Sequence, residues 1–222
     1  MASKELPNYT KGEEIFNAVS HIVGGAFGIA ALVLGIIFAV IHSNGFGIAS
    51  MIVYGISMII LYTMSSLYHF LPRGKAKKVF RILDHCTIFI LIAGTYTPYC
   101  LVALKSLYPT LGWVLFGIVS ALSTIGIIFN AINMHSKTVK TLSMICYLGE
   151  GWCVIFAVDK LIKVITWSGF SLLLAGGIIY TIGAIFYGIG KKKKYIHSVF
   201  HLFCLFGTIL QFLSILFYVI IK

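Results

Sequence analysis

A chain of 222 residues that is 59% hydrophobic and 10% charged, with 17 Lys and Arg against 6 Asp and Glu, falls outside the range of soluble domains, which place about a quarter of their residues as charges. Its net charge of +11 does not point to nucleic acid, because the basic residues sit in short clusters between apolar runs, as anchors against anionic headgroups do. The composition excludes a soluble enzyme and predicts a multi-pass integral protein of the cell membrane.

In chain order, the first 20 residues read as a cytoplasmic amino-terminal segment carrying a short amphipathic helix, and residues 21–222 as one transmembrane domain. Thr10-x-x-Glu13 has the spacing of a capping box. No cleavable signal peptide is expected, since the apolar run after His21 is long enough to span and no small-residue cleavage site follows it. A membrane helix needs about 20 mostly apolar residues, and seven such runs emerge, at 21–41, 46–70, 80–104, 109–132, 141–158, 168–189 and 195–221. The breaks are Ser43-Asn44-Gly45, Pro72-Arg73-Gly74 and Gly190 with its four lysines. Gly24 and Gly28 mark close helix packing. No internal repeat is visible, and this gives no support to an inverted-repeat transporter. The fold expected is all-α, a bundle of seven transmembrane helices.

The lysines and arginines of the short loops orient the bundle. With the amino terminus in the cytoplasm, 13 of the 17 fall inside; only Lys105, Lys160, Lys163 and Lys222 fall outside. The carboxyl terminus is then outside, the reverse of G-protein-coupled receptors. A retinal protein is also disfavoured, because the interior of the seventh run has no lysine for a Schiff base. Five cysteines, an odd number without a close pair, make neither a disulfide framework nor a thiolate zinc site.

Ionisable groups inside a span are costly, so each is a functional candidate. The orientation puts the end of the second run, the start of the third and the start of the seventh on one side. Those ends carry Ser65 and His69, Asp84 and His85, and His197 and His201. His197 and His201 are four apart, on one helical face and one turn from each other, a spacing that two ligands of one metal can meet. His69 can supply a third nitrogen at the same level. Three histidines with one open position form the arrangement of a catalytic zinc. Asp84 would then stand behind the metal, bonded to water or acting as general base. The alternatives are two interfacial histidines among headgroups, and a local pair of Asp84 with Arg81.

Elsewhere, Glu14, Asn17 and His21 form one polar stripe at the start of the first run, read as a structural network closing the cytoplasmic face in preference to catalysis. Glu150 sits within the fifth run, either as a proton relay or cavity lining or as a carboxyl bonded to a neighbouring helix. His42 and His135 fall in loops and are expected to be solvated. His85 points about 100° away from Asp84 on an ideal helix and is not expected to be a ligand.

Taken together, Ser65-x-x-x-His69, Leu83-Asp84-His85 and His197-x-x-x-His201 resemble the progestin and adipoQ receptor family, specifically its hemolysin III branch, which is related to alkaline ceramidases. The run from Glu14 to His21, Gly94-Thr95-Tyr96-Thr97-Pro98 and Gly151-Trp152 share that resemblance, which covers the chain from Glu13 to the end of the seventh run. Glu150 is not part of the family pattern. The resemblance implies one zinc ion held by His69, His197 and His201, with Asp84 beside it and Ser65 nearby. It implies a membrane hydrolase that cuts a lipid amide or ester entering from the bilayer, with membrane lipids as partners and a homo-oligomer as a possible assembly. The hemolysin name implies an alternative, a cytolysin or pore. A chain with seven apolar runs does not travel through water as a soluble monomer, so lysis would follow indirectly from altered lipids. A receptor-like sensor with a structural zinc is the third reading, favoured if protein fills the fourth coordination position.

Overall fold

The computed structural model describes residues 6–134, 136–189 and 193–222. His135, Lys4, Gly190, Lys191 and Lys192, on which parts of the loop and charge reading rest, lie outside the described residues. Among the described residues the chain is helical with short connections and no strand. Helices α1 (Lys11–His42), α2 (Gly45–Phe70) and α3 (Lys75–Pro98) are followed by α4 (Pro109–Asn133), α5 (Lys137–Gly151), α6 (Val158–Ile189) and α7 (Ile196–Ile215).

Among the described residues six stretches are long and apolar enough to cross a membrane: Lys11–His42, Gly45–Phe70, Lys75–Leu107, Pro109–Asn133, Thr138–Ile189 and Ile196–Ile220. The fifth and sixth runs expected from the sequence thus fall within one stretch of 52 residues. That stretch is not one straight helix. It tightens to a 3₁₀ segment at Cys153–Ala157 and breaks at Thr166, whose φ of 62° and ψ of 170° no helix contains.

The local chemistry explains the other ends. Thr10 and Glu13 form the capping box that their spacing predicts, and α1 then runs unbroken past residue 20. The Asn44 carboxamide accepts from the backbone N–H groups of Phe46 and Gly47, starting α2 at the Asn-Gly signal. Pro98 lacks the N–H that would continue the α3 ladder, and the helix widens there into a π segment, Tyr99–Leu104.

Helix α1 packs on α2, α2 on α3, α3 on α4 and α4 on α5, while α6 packs on α7 and α7 returns to α1. A Cβ on Gly24 would lie 2.5 Å from the Tyr62 ring, so this glycine lets α1 and α2 pack closely. Large apolar side chains cover the outside, with Phe156 82% and Ile132 78% exposed, a surface that lipid tolerates and water does not. The end of α2, the start of α3 and the start of α7 meet at one end of the bundle, as the loop charges predict for a shared membrane side.

Candidate metal centre

His69 lies in the last turn of α2 and His197 in the first turn of α7, with His201 one turn further on. All three are buried, and each offers a ring nitrogen within 4.8 Å of the other two. The Nε2 atoms of His197 and His201 are 3.0 Å apart. Two nitrogens bound to one tetrahedral zinc at about 2.0–2.1 Å would be roughly 3.3 Å apart, close to the separation of this pair. The three side chains could therefore hold a metal ion.

The hydrogen bonds behind the cluster support that donor set. His69 Nδ1 lies 2.7 Å from Glu14 Oε2. With the proton on Nδ1 for this bond, the lone pair is left on Nε2, which is buried without a partner. A carboxylate fixing the tautomer of a histidine is the usual support of a metal ligand. Glu14 is held in turn by Lys77, whose Nζ is 2.8 Å from Oε1. The same ammonium donates to the carbonyls of His69 at 3.2 Å and Leu71 at 3.0 Å, which closes the carboxyl end of α2. Asn17 is fully buried with its amide nitrogen 3.4 Å from His69 Nδ1.

The segment before α1 covers this end. The Tyr9 ring stacks on His197 at a centroid distance of 4.9 Å and an angle of 14°, and burial raises its phenol well above the usual value. Arg73 donates to Asn8 and to the carbonyl of Leu6. Glu13 Oε1 accepts from the backbone N–H of Tyr195 at 2.8 Å. Tyr195 is left-handed, with φ 61°, so a carboxylate from α1 secures the turn that aims His197.

A cavity of about 200 Å³ opens from the cluster into the bundle, bordered by His21, Ser65, Asp84, His197 and His201. It continues past apolar side chains to Gln211, ten residues beyond His201 and about 15 Å along the helix. His69 does not border it. Asp84 is partly buried and its Oδ2 is 3.7 Å from His85 Nδ1. His85 is occupied elsewhere, with Nδ1 donating to the carbonyl of Arg81 at 2.9 Å and Nε2 3.1 Å from the Tyr187 hydroxyl. His42 is exposed. Glu150 is buried away from the cluster; it accepts from Ser123 of α4 at 2.8 Å, and its other oxygen has no partner.

The sequence reading missed two members of this end. Lys77 belongs to a cluster of loop charges, yet it is only 3% exposed; the spacing of such a cluster does not say which of its members turns inward. Tyr9 carries no sequence signal of its own.

Comparison with known proteins agrees with the motif resemblance. The family described as Haemolysin-III related matches residues 9–212. The chain belongs to this family. It is 43% identical to Hemolysin-3 of Bacillus cereus over 208 residues, which is 94% of this chain and 92% of that one. To the Hemolysin-3 homolog of Bacillus subtilis (strain 168) it is 42% identical over 210 residues, 95% and 96% of the two chains. The human monocyte to macrophage differentiation factor is a distant relative, 24% identical over 157 residues, 68% of this chain and 62% of that one. The haemolysin-III match and the six apolar helices together make this a multi-pass membrane protein.

Proposed function

We propose that this haemolysin-III family member is a zinc-dependent hydrolase of a lipid amide or ester that enters from the bilayer. The observation that carries the reading is the placement of His197, His201, Asp84 and Ser65 around one cavity that continues as an apolar channel. The charged head of the cavity suits a scissile bond near a headgroup, and its apolar length suits a hydrocarbon chain. A zinc ion held by His69, His197 and His201 would activate water and polarise the carbonyl. The Asp84 carboxylate takes the proton from the attacking water as general base, and the Ser65 hydroxyl orients the carbonyl oxygen.

The reading includes seven crossings with the amino terminus in the cytoplasm. Fifty-two helical residues would extend about 78 Å, more than twice the roughly 30 Å hydrocarbon core. In this reading the breaks at Cys153–Ala157 and Thr166 separate an outward arm from a returning one.

The test compares the lipids of membranes that contain wild-type protein with those that contain Asp84→Asn. The wild type is expected to deplete one lipid class and release its fatty acid. The variant keeps the side-chain shape and loses the base, with turnover lower by about 10²–10⁴. Identical lipid profiles, together with no fatty acid released by purified zinc-loaded wild type from mixed lipid amides and esters, would end the hydrolase reading.

A further inference from the structure

His21 is the histidine of the bundle whose chemistry is unaccounted for. It is 4% exposed, and both of its ring nitrogens are buried without a partner. Among the described residues the other imidazoles inside the bundle each have a nitrogen engaged: His69 with Glu14, His85 with Arg81 and Tyr187, and His197 with His201. A neutral imidazole carries one donor and one acceptor, and burying both unpaired is unfavourable unless something bound supplies the partner.

The location says what that partner is. The His21 ring lies 3.9 Å from the His201 ring, centroid to centroid, and is held edge-on by Tyr62 at 5.2 Å. His21 is not one of the three residues whose nitrogens converge within 4.8 Å, yet it borders the cavity with His197 and His201. Glu14 and Asn17, on the same stripe of α1, contact His69 from outside the cluster, while His21 meets the cavity side.

We infer that His21 is a ligand-binding residue of the metal centre, one that hydrogen-bonds the oxygen-bearing group occupying the position the three histidines leave open. This rests on the metal-site part of the reading above and not on the lipid substrate. The neutral ring suffices, so no titration is involved. A carbonyl, carboxylate or hydroxamate oxygen accepts from the ring N–H, and a hydroxyl or water donates to the other nitrogen.

The experiment uses full-length protein loaded with Co²⁺, whose visible spectrum reports its coordination, titrated with acetohydroxamate. His21→Phe keeps the ring and removes both nitrogens; His21→Gln restores a donor and an acceptor. Both variants are expected to bind about one Co²⁺ per chain, as wild type does. The hydroxamate Kd should rise about tenfold in His21→Phe and stay within about threefold of wild type in His21→Gln. If the Phe ring is not accommodated, His21→Leu serves in its place. An unchanged Kd in the apolar variant overturns the inference, as does loss of Co²⁺ from both variants, which would make His21 a metal ligand. Failure of wild type to bind Co²⁺ overturns it together with the metal reading. Cobalt and hydroxamate binding as expected, with no lipid cleaved, leaves the inference standing and ends only the hydrolase.

Discussion

Glu14 and His69 are joined at 2.7 Å through Oε2 and Nδ1, across 55 positions of sequence, and this contact ties the start of α1 to the end of α2 at the histidine cluster. Glu14 is also the counter-ion of the buried Lys77. Removing its charge therefore acts on the histidine cluster and on the α2 terminus together.

Glu14→Gln is the conservative test of that relationship. The amide oxygen still accepts from Nδ1–H, but without the negative charge that raises the basicity of the opposite nitrogen. Metal affinity, measured by competition with a chromogenic chelator, should fall by about 10–100-fold. An affinity equal to wild type would show that Glu14 serves α2 alone.

The orientation is tested by reporter fusions. The charge distribution predicts that the loop between α2 and α3 and the turn before α7 face the cytoplasm and that residue 222 faces outward. Reporters placing both ends of the chain on one side would remove the seven-crossing reading and leave Thr138–Ile189 as a single crossing, six in all.

Much of this end of the molecule was legible in the sequence, and the rest was not, for a physical reason. His197 and His201 could be paired because helical spacing fixes their shared face, and His69 could be brought to them because loop charges fix which helix ends share a side. Periodicity does not fix how each helix is rotated against its neighbours. The Glu14 to His69 bond, the inward turn of Lys77 and the approach of His21 to His201 are all matters of such rotation. The fifth run extends through residues 152–157 because hydropathy does not distinguish an α-helix from the 3₁₀ segment Cys153–Ala157. Likewise, apolar content carried the third run smoothly through Pro98, where the backbone changes to a π segment.

That π segment gives a stability prediction. A Cβ on Gly112 would sit 2.5 Å from the Cys100 carbonyl oxygen and 3.0 Å from the Lys105 nitrogen. These are backbone atoms, which cannot rotate away. Gly112→Ala should destabilise the detergent-solubilised protein by about 1–3 kcal/mol, outweighing the gain of up to about 1 kcal/mol that Ala brings to a helix. On the same helix, Gly117→Ala meets nothing within 4 Å and should be neutral or stabilising. Thermal unfolding followed by size-exclusion chromatography separates the two; equal behaviour would mean that α4 does not rest on Cys100.

The metal itself is tested by content. Three nitrogens within 4.8 Å, one presented with its lone pair free by the Glu14 contact, suit a single ion, so protein purified without added metal should contain about one zinc per chain. His197→Ala or His201→Ala leaves two ligands and should release the ion. His69→Ala should do the same, and it also strands Glu14 beside Lys77. His42 is exposed, and His42→Ala should keep full zinc. His85→Gln should also keep it, because His85 is bonded to Arg81 and Tyr187 and contributes no nitrogen to the cluster. The decisive sample is the His197→Ala, His201→Ala double variant, in which α7 no longer contributes a ligand. Full zinc in that protein, by elemental analysis after gel filtration, would place the ion elsewhere and take the hydrolase and His21 readings with it.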